Sequence, residues 1–151
     1  MPQVQGQVAI VASAFHRPLV EALVRGAQAA ISQSGAELLG PFWAPGALEL
    51  PLLCQWVIDE TRPVAVVALG CVIQGETRHF QLVADNAVRG LMEVSLAKGV
   101  PVGQGVLACQ TVDQAHERAA DGPANSGFGA ARAALEMAAL RRRLTSGSDP
   151  A

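Results

Sequence analysis

The stretch Val64-Ala65-Val66-Val67-Ala68-Leu69-Gly70-Cys71-Val72-Ile73-Gln74-Gly75-Glu76-Thr77-Arg78-His79-Phe80 decides the fold. Its first six residues are apolar without a break, which predicts a strand with no wet face at the centre of a parallel sheet. A glycine-containing turn follows. Phe80 then opens a helical pattern running to Lys98, in which Ala84, Val88, Leu91 and Ser95 form one stripe. Asp85 stands four residues before Arg89, a spacing that permits an ion pair, and Gly99 with Pro101 ends the helix.

The same alternation extends outward in both directions. Val8-Ala9-Ile10-Val11-Ala12-Ser13 reads as a buried strand rich in β-branched residues. Pro18 suits a first helical turn, and Val20, Leu23, Val24, Ala27 and Ile31 fall on one helix face, with Glu21 and Arg25 spaced to pair on the outside. Gly35 stops that helix. A second strand is expected over 36–43, and a helix over 47–60 with Pro51 confined to its first turn. Beyond the central unit come a fourth strand over 102–108, a short helix over 113–119 and an Ala-rich helix over 128–144. Strands alternating with helices imply right-handed βαβ crossovers. The expected fold is a three-layer α-β-α, flavodoxin-like architecture with a four-stranded parallel sheet. It forms a single domain over 1–144, and 145–151 is expected as a disordered tail.

Composition narrows the function. The 151 residues suffice for one domain with a proper core, and half of them are hydrophobic, so the chain is not intrinsically disordered. Eleven basic against 13 acidic residues give a net charge of −2, with no basic field to gather nucleic acid or an anionic lipid surface. The longest apolar run, 64–73, falls far short of the roughly 20 residues a bilayer span requires. The first six residues carry no Lys or Arg ahead of an apolar stretch, so a cytoplasmic location is expected. Cys54, Cys71 and Cys109 sit in apolar contexts without metal-type spacing and read as reduced packing residues. Only 16% of the chain is charged, against about 25% in a typical soluble chain. Part of the apolar surface is therefore expected to be covered in a homo-oligomer.

Open parallel sheets bind ligands beyond the carboxyl ends of their strands, here after Ser13, Trp43, Leu69 and Ala108. In the turn after the central strand, Gly75 allows close backbone approach, Thr77 offers a hydroxyl, and the first turn of the next helix presents free N–H groups that attract phosphate. An ordinary capped helix start accounts for the same residues. No Lys follows the glycine and no G-x-G-x-x-G occurs in the first turn, so nucleotide-type phosphate loops are excluded. His79 can exchange protons near neutral pH beside a bound anion, or serve structure alone, as can His16 and His116. Arg118 can hold a phosphate bidentately or lie solvated on its helix. Phe15 can stack on a planar heterocycle or fold into the core. Glu49 can accept hydrogen bonds from a polyol or complement a helix dipole. Arg141-Arg142-Arg143 reads as a solvated helix end.

Taken together, Ser13-Ala14-Phe15-His16, Pro45-Gly46-Ala47-Leu48-Glu49-Leu50-Pro51 and the stretch from Gly70 to Phe80 resemble the motifs of the 6,7-dimethyl-8-ribityllumazine synthase family in order and spacing. The resemblance continues through Gly90-Leu91-Met92-Glu93-Val94-Ser95-Leu96, Gly105-Val106-Leu107, Gln114-Ala115 with Glu117-Arg118-Ala119, and Ala133-Ala134-Leu135-Glu136-Met137. It implies a transferase of riboflavin biosynthesis that condenses 5-amino-6-(D-ribitylamino)uracil with 3,4-dihydroxy-2-butanone 4-phosphate, needing neither metal nor organic cofactor. By resemblance Phe15 stacks on the pyrimidine, Ala47, Leu48 and Glu49 hold the ribityl chain, and Cys71, Val72 and Ile73 line the ring. Glu76, Thr77 and Arg118 bind phosphate, and His79 moves the proton. It also implies a homopentamer with Gln104 and Arg118 reaching a neighbour's site, an icosahedral shell of twelve pentamers as a larger form, and riboflavin synthase as a partner protein.

The chain departs from the family pattern at four places. His16 stands where many relatives have Asn, Gln104 where they have Phe, and Leu48 where an aromatic is common. The family's Gly-Asn-Lys-Gly reads Ala124-Asn125-Ser126-Gly127, without the basic residue. Ser126 and Gln104 motivate an alternative, a flavin- or lumazine-binding shell protein weakened in catalysis. A flavodoxin-like module for a phosphorylated cofactor is a third reading.

Overall fold

A computed structural model describes residues 1–76 and 79–147. Strands β1 (Gln7–Ser13), β2 (Glu37–Ala44), β3 (Ala65–Ile73) and β4 (Val102–Cys109) form one parallel sheet in the order β2-β1-β3-β4. Helices α1 (Arg17–Ser34), α2 (Leu50–Thr61), α3 (Phe80–Lys98), α4 (Val112–Arg118) and α5 (Ser126–Ser146) connect and cover it, with a 3-10 turn over Ala47–Glu49 leading into α2. The sequence crosses the sheet one way from β1 to β2 and the other way from β1 to β3. That reversal opens a crevice at the carboxyl ends of β1 and β3.

All nine residues of β3 are buried, as its unbroken apolar run requires. Alternate side chains of β1 and β3 feed two separate cores. Val8, Ile10, Ala12, Val67 and Leu69 pack with α1, α4 and α5, whereas Ala9, Val11, Val66 and Ala68 pack with α2 and α3. The three-layer flavodoxin-like expectation therefore holds. The α1 stripe of Val20, Leu23, Val24, Ala27 and Ile31 is buried as its spacing predicts, and Pro51 stands in the first turn of α2.

Several local expectations change. Glu21 pairs with Arg17 at 3.0 Å rather than with Arg25, because Arg17 is held over the Trp43 ring at 4.0 Å and reaches the first turn of the helix. Asp85 accepts from Gln81, and Arg89 reaches Glu93 instead. The buried stripe of α3 is Ala84, Ala87, Leu91 and Val94, and Val88 lies on the exposed side. Strand β3 continues past Leu69 through Gly70 to Ile73, so Cys71, Val72 and Ile73 are strand and not loop. Gly70 permits this because a Cβ there would stand 2.9 Å from the Ser13 hydroxyl of the adjoining strand. Helix α5 continues through Ser146 to a left-handed Gly147, two residues beyond the expected end of the domain.

The α1–α5 pair is closely packed through small residues. Asn125, 2% exposed, caps α5 by accepting from Gly127 N at 2.8 Å and Phe128 N at 3.1 Å. Its amide nitrogen donates to the carbonyls of Ala119 at 2.9 Å and Ala22 at 3.2 Å, tying α5 to α1 and to the end of α4. All four of its side-chain bonds are made. Among the described residues, no helix is long and apolar enough to cross a membrane.

Candidate functional site

Phe15 follows β1 directly, Gly46 to Glu49 follow β2, and Cys71 to Ile73 end β3. These three segments meet at one cavity of about 230 Å³, lined by Phe15, Gly46, Ala47, Leu48, Glu49, Cys71, Val72, Ile73, Glu76 and Val83. It sits at the crevice where the strand order reverses, the place such sheets reserve for ligands. Eight residues singled out from the sequence line it: Phe15, Ala47, Leu48, Glu49, Cys71, Val72, Ile73 and Glu76.

Its floor is rigid and its rim is open. Cys71, Val72, Ile73 and Ala47 are buried, whereas Phe15 is 59% and Leu48 is 52% exposed, presenting two large apolar groups beside the opening. A planar ring can settle against such groups at the cost of little reorganisation. Glu49 closes the 3-10 turn and is the residue before α2, and its carboxylate folds back beside Gly46, where a Cβ would lie 3.1 Å from Oε2. The carboxylate thus faces the cavity from a helix N-terminus, and the polyol and dipole readings are both compatible with that placement. The Cys71 thiol is pushed up from 9.0 to about 12, first by burial and then by neighbouring Cys109 and Glu76. At neutral pH it is a protonated wall group and not a nucleophile.

Gly75, with φ 88, turns the chain after β3, and Gln74 N binds the Cys109 carbonyl at 2.9 Å across to β4. Thr77 and Arg78 lie outside the described residues, so the expected role of Thr77 is untouched by the geometry. His79 is the residue before α3, exposed, and its carbonyl accepts from Val83 N at 2.8 Å. It therefore starts the helical turn that contributes Val83 to the cavity wall.

Gln104 and Arg118 are not at this cavity within one chain. Gln104, on edge strand β4, donates to the Val88 carbonyl of α3 at 3.1 Å. Arg118, exposed at the end of α4, donates from Nη1 to Cys109 Sγ at 3.1 Å. Both stand on the β4 side of the sheet. In the sequence His16 reads as an isolated imidazole and as a departure from the family's Asn, with no partner indicated. In the structure its Nε2 lies 2.7 Å from Glu76 Oε2, and its ring is edge-on to Phe15 at 5.0 Å. Gly46 and Val83 also line the cavity without having been singled out.

A roomier hollow of about 540 Å³ lies at the opposite end of the sheet, between the N-terminal segment, Val64 and the end of α5. Its cations are committed to structure: Lys98 to Asp59 at 2.8 Å, Arg141 to the Gly99 carbonyl and Arg142 to Gln5 at 2.7 Å. The chemistry-bearing residues are at the smaller cavity.

Residues 5–142 match the family model described as 6,7-dimethyl-8-ribityllumazine synthase. The chain is 44% identical over 147 residues to the 6,7-dimethyl-8-ribityllumazine synthase of Azorhizobium caulinodans, covering 94% of this chain and 90% of that one. It is 44% identical to the protein of that name from Halorhodospira halophila, covering 90% and 88%. With the protein of that name from Methylorubrum extorquens strain PA1 the identity is 41%, covering 90% and 81%. A match over nearly the whole length places the chain in the 6,7-dimethyl-8-ribityllumazine synthase family.

Proposed function

We propose that the chain is a transferase of riboflavin biosynthesis, condensing 5-amino-6-(D-ribitylamino)uracil with 3,4-dihydroxy-2-butanone 4-phosphate to 6,7-dimethyl-8-ribityllumazine, phosphate and water. The observation that carries this reading is the convergence of three strand ends and the turns after them, distant in sequence, on one cavity in a chain of this family. The amine of the pyrimidine attacks the ketone, phosphate is eliminated, and ring closure loses water.

In this reading Phe15 stacks on the pyrimidine over the floor of Cys71, Val72 and Ile73, and Ala47, Leu48 and Glu49 hold the ribityl chain. Glu76 and Thr77 meet the phosphate through the backbone amides of the turn before α3, with Arg118 of a neighbouring subunit supplying the cation. A dianionic leaving group needs such a fixed positive end. His79, beside it, moves the proton. Holding two substrates together supplies most of the acceleration, because a bimolecular condensation gains most from proximity. Incubating the purified protein with both substrates tests the reading: lumazine absorbance is expected to rise above the spontaneous rate, and its failure to do so would sink the assignment.

The site is proposed to be completed in a homopentamer, with Gln104 and Arg118 contributed across the subunit boundary. Two features support this. A cavity of about 230 Å³ is small for two substrates, since drug-sized ligands occupy roughly 300–1,000 Å³. The outer faces of α2 and α3 also expose Leu52, Trp56, Leu82, Val88, Met92 and Leu96, an apolar surface that a subunit contact would cover. The chain is compatible with the pentamer alone and with a shell of twelve pentamers, and riboflavin synthase, which consumes the product, is its proposed partner.

A further inference from the structure

The contact between His16 and Glu76 joins the loop after β1 to the loop after β3 at the cavity that Phe15 and Glu76 line. The imidazole Nε2 is buried and stands 2.7 Å from the carboxylate oxygen, a close pair contact rather than an aligned hydrogen bond. His16 is held firmly from behind. Its backbone is left-handed at φ 56 and ψ 45, its carbonyl accepts from Leu19 N at 3.0 Å and Val20 N at 3.1 Å, and its ring meets Phe15 at 84°. Its side chain is 20% exposed, against 41% for Glu76. The anchored partner is therefore the histidine, and the carboxylate is the group being placed.

A phosphate ester approaching the turn that holds Glu76 meets a like charge, and like-charge juxtaposition weakens binding. We propose that His16 is a positioning residue for the phosphate substrate, drawing the Glu76 carboxylate toward the start of α1 so that it does not face the incoming anion. The positive pole of that eighteen-residue helix lies at the same end and favours a negative group there. The inference rests on the phosphate-binding reading given above and adds to it a residue outside the family's usual pattern.

Steady-state kinetics of the wild type, His16→Ala and the double variant His16→Ala/Glu76→Gln test it, with inorganic phosphate as a competing probe. His16→Ala is expected to raise KM for the phosphate substrate roughly fivefold or more, with the pyrimidine KM and kcat changing by less than about twofold. Adding Glu76→Gln is expected to bring that KM back toward the wild-type value, because the repelling charge is gone. A purely structural role for His16 would not be repaired in this way. His16→Asn guards against a folding defect: Asn tolerates the left-handed backbone, and its shorter side chain stops short of Glu76, so the same rise and the same repair are expected. An unchanged KM in both single variants, or a rise that Glu76→Gln does not reverse, overturns the proposal. Failure of inorganic phosphate to compete in the wild type would overturn the phosphate site itself. Competition in the wild type alongside unaltered variants would overturn only the role of His16.

Discussion

Asn125 Oδ1 occupies the space that a Cβ on Gly26 would need, so α1 and α5 approach closely because one residue lacks a side chain and the other fills the gap. Asn125 cannot yield, since all four of its side-chain hydrogen bonds are engaged in a buried position. Gly26→Ala, which would gain about 1 kcal/mol in an open helix, is expected here to destabilise by roughly 1–3 kcal/mol. Asn125→Ala removes a cap and the two bonds its amide makes to the Ala22 and Ala119 carbonyls, for an expected loss of about 2–4 kcal/mol. Urea unfolding midpoints measure both; a stabilised Gly26→Ala would show that the helices can separate freely.

Alkaline stability should follow the buried thiols. Cys54 is pushed up from 9.0 to about 12 by burial, and Cys71 likewise, so the native state keeps protons that the unfolded chain releases. Folded pKa values above the unfolded ones give stability that is fully present below about pH 9 and lost as pH rises toward 12. The chain has no Tyr to titrate in this window. Melting temperatures from pH 8 to 11 are expected to fall less steeply in Cys54→Ala/Cys71→Ala than in the wild type, whatever the variant's starting stability. Parallel slopes would contradict this cause.

His79→Ala is expected to lower kcat by up to roughly a hundredfold, the low end of what a positioned proton carrier contributes, without unfolding an exposed helix start. Arg118→Ala is expected to raise KM for the phosphate substrate while shifting stability by less than about 0.5 kcal/mol, since its side chain is exposed and its sulfur partner accepts weakly. Stopped-flow and steady-state assays separate the two effects. Wild-type kinetics in both variants would remove these residues from the reaction.

If the cavity of one subunit uses Arg118 of the next, two defective proteins can rescue each other. Refolding His79→Ala with Arg118→Ala in equal amounts is expected to return about a quarter of wild-type activity, the fraction of sites built from two intact contributions in a symmetric ring. No recovery would place both residues in the site of one chain.

Leu96, 77% exposed, and Met92, 53% exposed, project from α3 away from the core. Introducing charge with Leu96→Glu or Met92→Glu is expected to leave the fold of the subunit intact and to reduce the assembled mass seen by light scattering. An unaltered particle would put the contact surface elsewhere.

The buried strands and the amphipathic face of α1 were legible because continuous hydrophobicity and 3.6-residue spacing report burial directly. The true length of β3 was not, because Gly70 reads as a turn until Ser13 is seen to press against it. Phe15, Glu49 and Glu76 were legible as residues after strands, although only the fold brings them to one cavity. The link between His16 and Glu76 was hidden by sequence separation, since the crossovers between β1 and β3 alone make them neighbours. The pairing of Arg17 with Glu21 was hidden for a related reason: the choice between two i±4 partners was settled by a Trp on another strand.

Val72 and Ile73 belong at once to the cavity and to the two cores on opposite sides of the sheet. Reshaping Val72 would disturb the core shared with α2 and α3, and reshaping Ile73 the core shared with α1, α4 and α5. Phe15, Leu48 and Glu49, whose side chains meet water, can be exchanged without that penalty, so the cavity's shape is adjustable at its rim and tied to folding at its floor.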